Sequence, residues 1–176
     1  MRKILRNRLA LSTVVTTLII LVVSVLLAGV VTYFAINVVS TRVQQESLQL
    51  TFTHVWVAPS GNSQVAVVVK NIGGRDVVIN AIQVRGIAGT FGTNVYTKVA
   101  STDPPALAAA GIAALTASTA STPITLASGS AIQVYITDPT SVSINDIGTT
   151  IGITVFTAQA MYYQETNVQA TTVAVP

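Results

Sequence analysis

Leu9–Thr41 reads LALSTVVTTLIILVVSVLLAGVVTYFAINVVST, an uncharged stretch set directly behind the basic octet MRKILRNR. Its apolar run from Leu9 to Val39 exceeds the roughly 20 residues that cross a hydrocarbon core. It is also far longer than the roughly 7–15-residue apolar segment of an ordinary secretory signal. The run is apolar on every side, the pattern of a helix surrounded by lipid or by other helices. No proline precedes Pro59, so nothing forces a kink. From Ser40 to Leu50 (STRVQQESLQL) the pattern turns amphipathic, with Val43, Ser47 and Leu50 at helical spacing and Arg42 and Glu46 placed i, i+4. The expectation is one continuous helical rod over residues 9–50, roughly 63 Å long at about 1.5 Å per residue.

Beyond the rod the period changes to two. Thr51–Ala58 (TFTHVWVA) alternates, with Phe52, His54, Trp56 and Ala58 on one side and Val55 and Val57 on the other. Pro59-Ser60-Gly61-Asn62 marks a turn, Gln64–Lys70 (QVAVVVK) a β-branched run, and Asn71-Ile72-Gly73-Gly74-Arg75-Asp76 a second turn. Val77–Arg85, Ala131–Thr137, Thr149–Tyr163 (one long strand or two) and the tail Asn167–Val175 supply further strands. Residues 101–122 (STDPPALAAAGIAALTASTAST) are rich in Ala, Ser and Thr and read as a loop containing a weak strand. Short strands with turn signals about every ten residues point to an antiparallel sandwich. The expected fold class is therefore α+β: a long N-terminal hydrophobic α-helix followed by an all-β, immunoglobulin-like antiparallel sandwich head over residues 51–176.

Bulk composition narrows the function. Cysteine is absent, which removes disulfides, thiol chemistry and cysteine-ligated zinc. Charged residues make up only 9% of the chain, against the usual quarter. The net charge of +3 is misleading, because four of the nine basic residues (Arg2, Lys3, Arg6, Arg8) lie in the octet. The rest of the chain is slightly acidic and offers no basic surface for nucleic acid. The basic octet instead reads as a topogenic signal that keeps its end cytoplasmic and sends the β-head outward.

Candidate chemistry is sparse, and no cofactor is expected. His54, the one histidine, stands beside Trp56 on an alternating strand and reads as a structural or surface residue, since a lone His makes no metal site and a triad would need a nucleophile and an acid brought to it by the fold. Asp76, Asp103, Asp138 and Asp146 sit at turns, where Asp commonly closes Asx turns. They lack the spacing of a calcium loop. Gly73-Gly74 has no phosphate-binding or dinucleotide context, and reads as a turn that needs positive φ. No Asn-x-Ser/Thr sequon occurs, whereas the Ser/Thr-dense TASTASTPITLAS at 116–128 leaves room for O-linked glycans. Inside the helix, Ser24, Ala28, Gly29, Thr32 and Ala35 place small residues at three- and four-residue spacing, which lets helices approach closely in apolar surroundings.

Taken together these stretches resemble the archaeal type IV pilins. The basic leader running into LALSTVVTTLIIL is similar to the pattern that a prepilin peptidase cuts between charged leader and hydrophobic helix. VAVVVKNIGGRDVVINAIQVRG (65–86) resembles the strand–turn–strand signature of archaeal pilin and archaellin heads, and LASGSAIQVYI (126–136) a later strand of those heads. The resemblance implies cleavage of residues 1–8 at Arg8/Leu9, with Ala10/Leu11 as a second position; the small residue common before the cut is absent. With Leu9 as the first mature residue the fifth is Thr13, not the Glu of bacterial pilins. It further implies a membrane-held precursor, then extraction by an assembly ATPase and a membrane platform protein into a homopolymeric extracellular filament, with adhesion as the expected role.

Other readings share these features. An archaellin of a rotating filament or a minor pilin would carry the same helix and head. A single-pass anchored surface protein, a binding module or envelope component, would keep its octet and remain in the membrane. Enzyme activity is not expected from so few catalytic side chains. The low charge content suits a hot or acidic exterior, where few carboxylates need to titrate.

Overall fold

The computed structural model describes residues 2–108, 111, 115–117 and 123–176. The chain divides into two compact units, Met1–Val43 and Gln44–Pro176. In the first, α1 (Arg2–Val43) is a single helix of 42 residues. Its leucines and alanines are strong helix formers and no proline interrupts it.

The helix is shorter at its C-terminal end than the rod expected over 9–50. It stops at Val43, and Leu48–Leu50 already belong to β1 (Leu48–Val57). Leu48 is buried in the head and Leu50 packs against the same core. Those contacts outweigh the helical spacing of Val43, Ser47 and Leu50. Glu46 consequently lies beyond the helix, where its carboxylate accepts a hydrogen bond from the Thr157 hydroxyl.

The second unit is a β-structure: β1, β2 (Ser63–Asn71), β3 (Val77–Val84), β4 (Ile87–Ala88), β5 (Val95–Lys98), β6 (Thr116–Ala117), β7 (Ile124–Leu126), β8 (Ala131–Thr137), β9 (Thr150–Thr157) and β10 (Met161–Ala170). A one-turn 3-10 helix, Ile144–Asp146, precedes β9. The stretch read as one long strand or two is thus two, and the separate tail strand expected over Asn167–Val175 does not form: residues 167–170 are the end of β10, and residues 171–175 lie outside any strand. The strands hydrogen-bond along one path, β4-β3-β9-β10-β1-β2-β8-β5-β6, with β7 paired to β3.

This corrects the sandwich expectation in two respects. The sheet is mixed, because β1 and β10 run parallel through Val55↔Val168, Trp56↔Gln169 and Val57↔Ala170. It is also continuous, curled into a half-barrel instead of two separate immunoglobulin-type sheets. The cause is β10, whose first part pairs antiparallel with β9 from Met161 to Asn167 and whose end joins β1. One strand thereby bridges both halves, as strands do at sheet corners. The concave side holds one apolar core, in which Val65, Val67 and Val69 of β2 and Val134 and Ile136 of β8 meet Ile79 and Ile82 of β3 and Ile151, Ile153 and Val155 of β9. Each such side chain contributes roughly 1.5–3 kcal/mol of gross burial energy.

Two bulges set which side chains reach that core. In β1 the register shifts between Thr51 and His54, with Phe52 at φ 48°. The extra residue reverses the alternation. Even-numbered Leu48 and odd-numbered Val55 and Val57 all point inward, while Phe52 is left exposed. In β3 the shift between Ile79 and Ala81 does the same, so Val77, Ile79, Ile82 and Val84 share one core.

The turn at Asn71–Asp76 works differently from expectation. Gly73 and Gly74 are absent from the glycines with positive φ. Gly73 is needed because the chain passes so close to residues 45–47 that a Cβ would lie 2.6 Å from the Gln45 carbonyl oxygen and 2.7 Å from the Ser47 nitrogen. Asn71, fully buried, braces the turn by donating to the Arg75 and Leu126 carbonyls at 2.8 and 3.1 Å and accepting from the Gly73 N–H at 3.0 Å.

Candidate functional site

The feature that asks for a function is α1. Every residue from Leu11 to Thr41 is exposed, although the segment is apolar enough and, at 31 residues, long enough to cross a membrane. Burial within the chain therefore does not account for its hydrophobicity. As a single N-terminal apolar helix it is compatible with a membrane anchor or a signal sequence.

Its polar side chains are largely neutralised from within. The Thr16, Thr17, Ser24, Thr32 and Thr41 hydroxyls donate to the carbonyls of Ser12, Val14, Ile20, Ala28 and Asn37 at 2.7–2.9 Å. Each hydroxyl proton is thus satisfied one turn back along the helix, which lowers the penalty for moving the helix out of water. Of the small residues singled out by spacing, Ser24, Ala28, Thr32 and Ala35 fall on one side of the helix at about 3.6 residues per turn. Gly29 lies next to that side, with open space where a Cβ would stand. Arg8 and Leu9 lie within α1, among residues whose side chains are outside the described set.

Asn37 was not among the residues singled out. It is the one amide between Leu9 and Val43, and that singularity is the signal that could have found it.

In the head, the polar candidates are dispersed. His54 Nε2 lies 2.5 Å from Asp103 Oδ1, and its ring stacks on Trp56 with centroids 5.0 Å apart. Asp76 accepts from the Ser128 N–H at 3.0 Å. Asp146 accepts from Arg85 at 2.8 Å and from the N–H and hydroxyl of Ser143 at 2.8 and 2.9 Å. The Arg85 guanidinium, then the Ser143 bonds, hold the Asp146 carboxyl below the ordinary aspartate range. Asp138 takes a positive φ of 43°. Among the described residues no three His, Asp or Glu side chains converge as a metal site would require.

The His54–Asp103 contact belongs to a strap. Trp56, Ala66 and Tyr135 form a second, smaller apolar cluster with Tyr96, Ala106, Leu107 and Leu115 packed on it. Residues 101–108 are held there by Gln64 Oε1, which accepts from the Leu107 N–H at 2.8 Å, and by Gln133 Nε2, which donates to the Thr102 carbonyl at 2.7 Å. Burial raises the Tyr135 hydroxyl pKa. The loop-with-weak-strand reading of 101–122 matches the described part, which contains the short β6; residues 109–110, 112–114 and 118–122 lie outside it.

On the outer face of β9 and β10 the side chains are less covered. Met161 and Tyr163 are exposed, and the Tyr163 ring lies over Gly152 with its hydroxyl donating to Glu165 at 2.9 Å. That bond, more than burial, raises the Tyr163 pKa. A cleft of about 170 Å³ between Ile87–Thr90, Asn94, Ile136 and Pro139–Thr140 contains no charged side chain.

No family model matches the chain, and no curated protein does. Among solved structures, the chain is similar to a β-glucosidase from Listeria innocua at 14% identity and a TM-score of 0.27, over 73% of this chain and 16% of that one. The chain thus spans about a sixth of that enzyme's length, and a likeness this loose carries neither fold nor activity across.

Proposed function

We propose that this chain is the structural subunit of an extracellular type IV pilus-like filament, polymerising through α1 and displaying the curled β-head outward. The observation that carries the reading is the exposed helix: Leu11–Thr41, 31 residues without a buried side chain, some 46 Å long at about 1.5 Å per residue against a hydrocarbon core of roughly 30 Å. A bilayer covers about two thirds of that length, whereas a bundle of parallel copies covers all of it. At about 25 cal/mol per Å2 of apolar surface, such coverage supplies a large gross driving force before ordering costs. On this reading the head takes the place of the immunoglobulin-like sandwich of pilins. The partners are other copies of the chain, a prepilin peptidase, an assembly ATPase and a membrane platform protein, and adhesion is the role of the assembled fibre.

The length that spans a membrane also favours a second reading, a single-pass anchored surface protein. One experiment separates the two. Material sheared from the cell surface is imaged by electron microscopy, and the N-terminus of the protein in it is sequenced. Filaments whose subunits begin at Leu9 or Leu11 are expected. Protein found only in membranes with MRKILRNR intact would remove the filament reading in favour of the anchor.

A further inference from the structure

Resting on the filament reading, we propose that the Asn37 side chain fixes the register of the assembly. Its amide bonds to Ser24 or Thr32 on the helix of a neighbouring copy.

Asn37 differs in kind from the other polar groups of α1. A hydroxyl can donate its one proton back to the preceding turn, as Thr16, Thr17, Ser24, Thr32 and Thr41 do. A primary amide carries two donors and an acceptor and cannot be satisfied in that way. Among the described residues the Asn37 side chain has no partner, although its backbone carbonyl accepts from the Thr41 hydroxyl at 2.9 Å. Left without one in a water-free bundle, the amide would carry the desolvation penalty of an unpaired polar group.

Its position separates the two environments of the helix. A span of about 20 residues beginning just past the basic octet ends near Val30. Asn37 then stands beyond the hydrocarbon, at headgroup level with Tyr33, where water and lipid polar groups satisfy it. The amide is thus harmless to a membrane-held precursor. It becomes demanding only when copies of the helix cover one another along their full length.

Geometry indicates what meets it. Ala28 and Asn37 lie two and a half turns apart at about 3.6 residues per turn, hence on opposite sides of the helix. The Ala28 side carries Ser24 and Thr32, and their small neighbours permit close approach. Both hydroxyls have spent their proton on a carbonyl, at 2.7 and 2.8 Å, and retain lone pairs that accept. One face therefore offers an amide donor and the opposite face offers acceptors. Such an interface is heterologous, the kind that propagates into open helical polymers. A single buried Asn sets register in coiled coils by the same physics. For parallel helices the axial offset between contacting copies is about 7.5 Å for Thr32 or about 20 Å for Ser24, at about 1.5 Å per residue.

The test is an electron cryomicroscopy reconstruction of filaments from cells expressing the wild-type chain or Asn37→Leu. In wild type, the Asn37 amide is expected within about 3 Å of Ser24 or Thr32 of another copy, with one helical symmetry. Asn37→Leu filaments are expected to split into two or more symmetry classes, and Asn37→Gln to restore one class. A wild-type map placing the amide against carbon, water or any other group overturns the inference, whatever the variants do. So does a single unchanged symmetry in Asn37→Leu. If Asn37→Leu yields no filaments, the wild-type map alone decides. Absence of wild-type filaments would overturn the filament reading itself and this inference with it.

Discussion

Arg85 and Asp146 join the two ends of a loop system: Arg85 Nη1 donates to Asp146 Oδ1 at 2.8 Å and to the Ser141 carbonyl at 3.2 Å. Arg85 and Gly86 take φ of 49° and 81° in the two-residue turn between β3 and β4, the primed turn that suits the strand twist. That turn aims the guanidinium at the segment leading into β9.

Asp146→Asn should lower the unfolding temperature of the full chain in detergent at pH 7. The folded carboxyl titrates below its unfolded value, which is about 3.9 for a free aspartate. Its contribution is therefore complete above about pH 3.9 and is lost as pH falls through the lower folded value. Melting curves of wild type and variant should converge toward pH 2. A gap of constant size across that range would disprove the assignment.

Gly73→Ala and Gly152→Ala should differ sharply. At 73 the new methyl meets the backbone at Gln45 and Ser47, which cannot yield without moving the entry to β1, and the expected loss is about 2–3 kcal/mol. At 152 it meets only the ring of Tyr163, an exposed side chain that can swing aside, and the loss should stay within about 1 kcal/mol. Denaturant titration of both variants measures the difference, and equal losses would contradict it.

Gln64→Leu should free the strap with little effect on the head. The Leu107 N–H loses its acceptor, worth about 1 kcal/mol, or about fivefold in amide exchange. Global stability should stay nearly unchanged, because the Gln64 Nε2 is buried without a partner and its removal relieves that penalty. Hydrogen exchange should show faster exchange over residues 102–108 only; faster exchange throughout β2 and β8 would mean that Gln64 supports the core itself.

Ala28→Leu should leave the precursor membrane-inserted and the head folded, while reducing sheared filaments at least tenfold, order-of-magnitude, by filling the side on which helices approach. Quantifying the chain in membrane and sheared fractions reads both quantities. Normal filament yield would show that this side of α1 faces away from its neighbours.

How much was legible can be judged from particular elements. β8 coincides with the run Ala131–Thr137, because a β-branched alternation preceded by the Ser128-Gly129 turn reads as a strand. The helix end did not: Val43, Ser47 and Leu50 fit a helical spacing while Leu48 and Leu50 fit a strand spacing, and only the core that both leucines enter chooses between them. The place of Phe52 in the alternation of β1, and the change of parity within β3, escaped the sequence for a related reason. An alternation rule assumes constant parity, and the bulges at Thr51–His54 and Ile79–Ala81 reverse it. The four aspartates read as turn residues, but their partners, such as Arg85 for Asp146, stand too far along the chain to be paired by spacing.

By itself the sequence determined that this protein has a long, uniformly apolar N-terminal helix followed by a β-rich head in which histidine and acidic side chains are few. Those are local matters of hydrophobicity and period, carried residue by residue. Only the tertiary structure decided that β10 links both halves of one curled mixed sheet, that 101–108 straps the face bearing Trp56 and Tyr135, and that Gly73 is required by a close backbone approach and not by its φ. Each depends on groups distant in sequence meeting in space, and their contact energies leave no periodic trace along the chain.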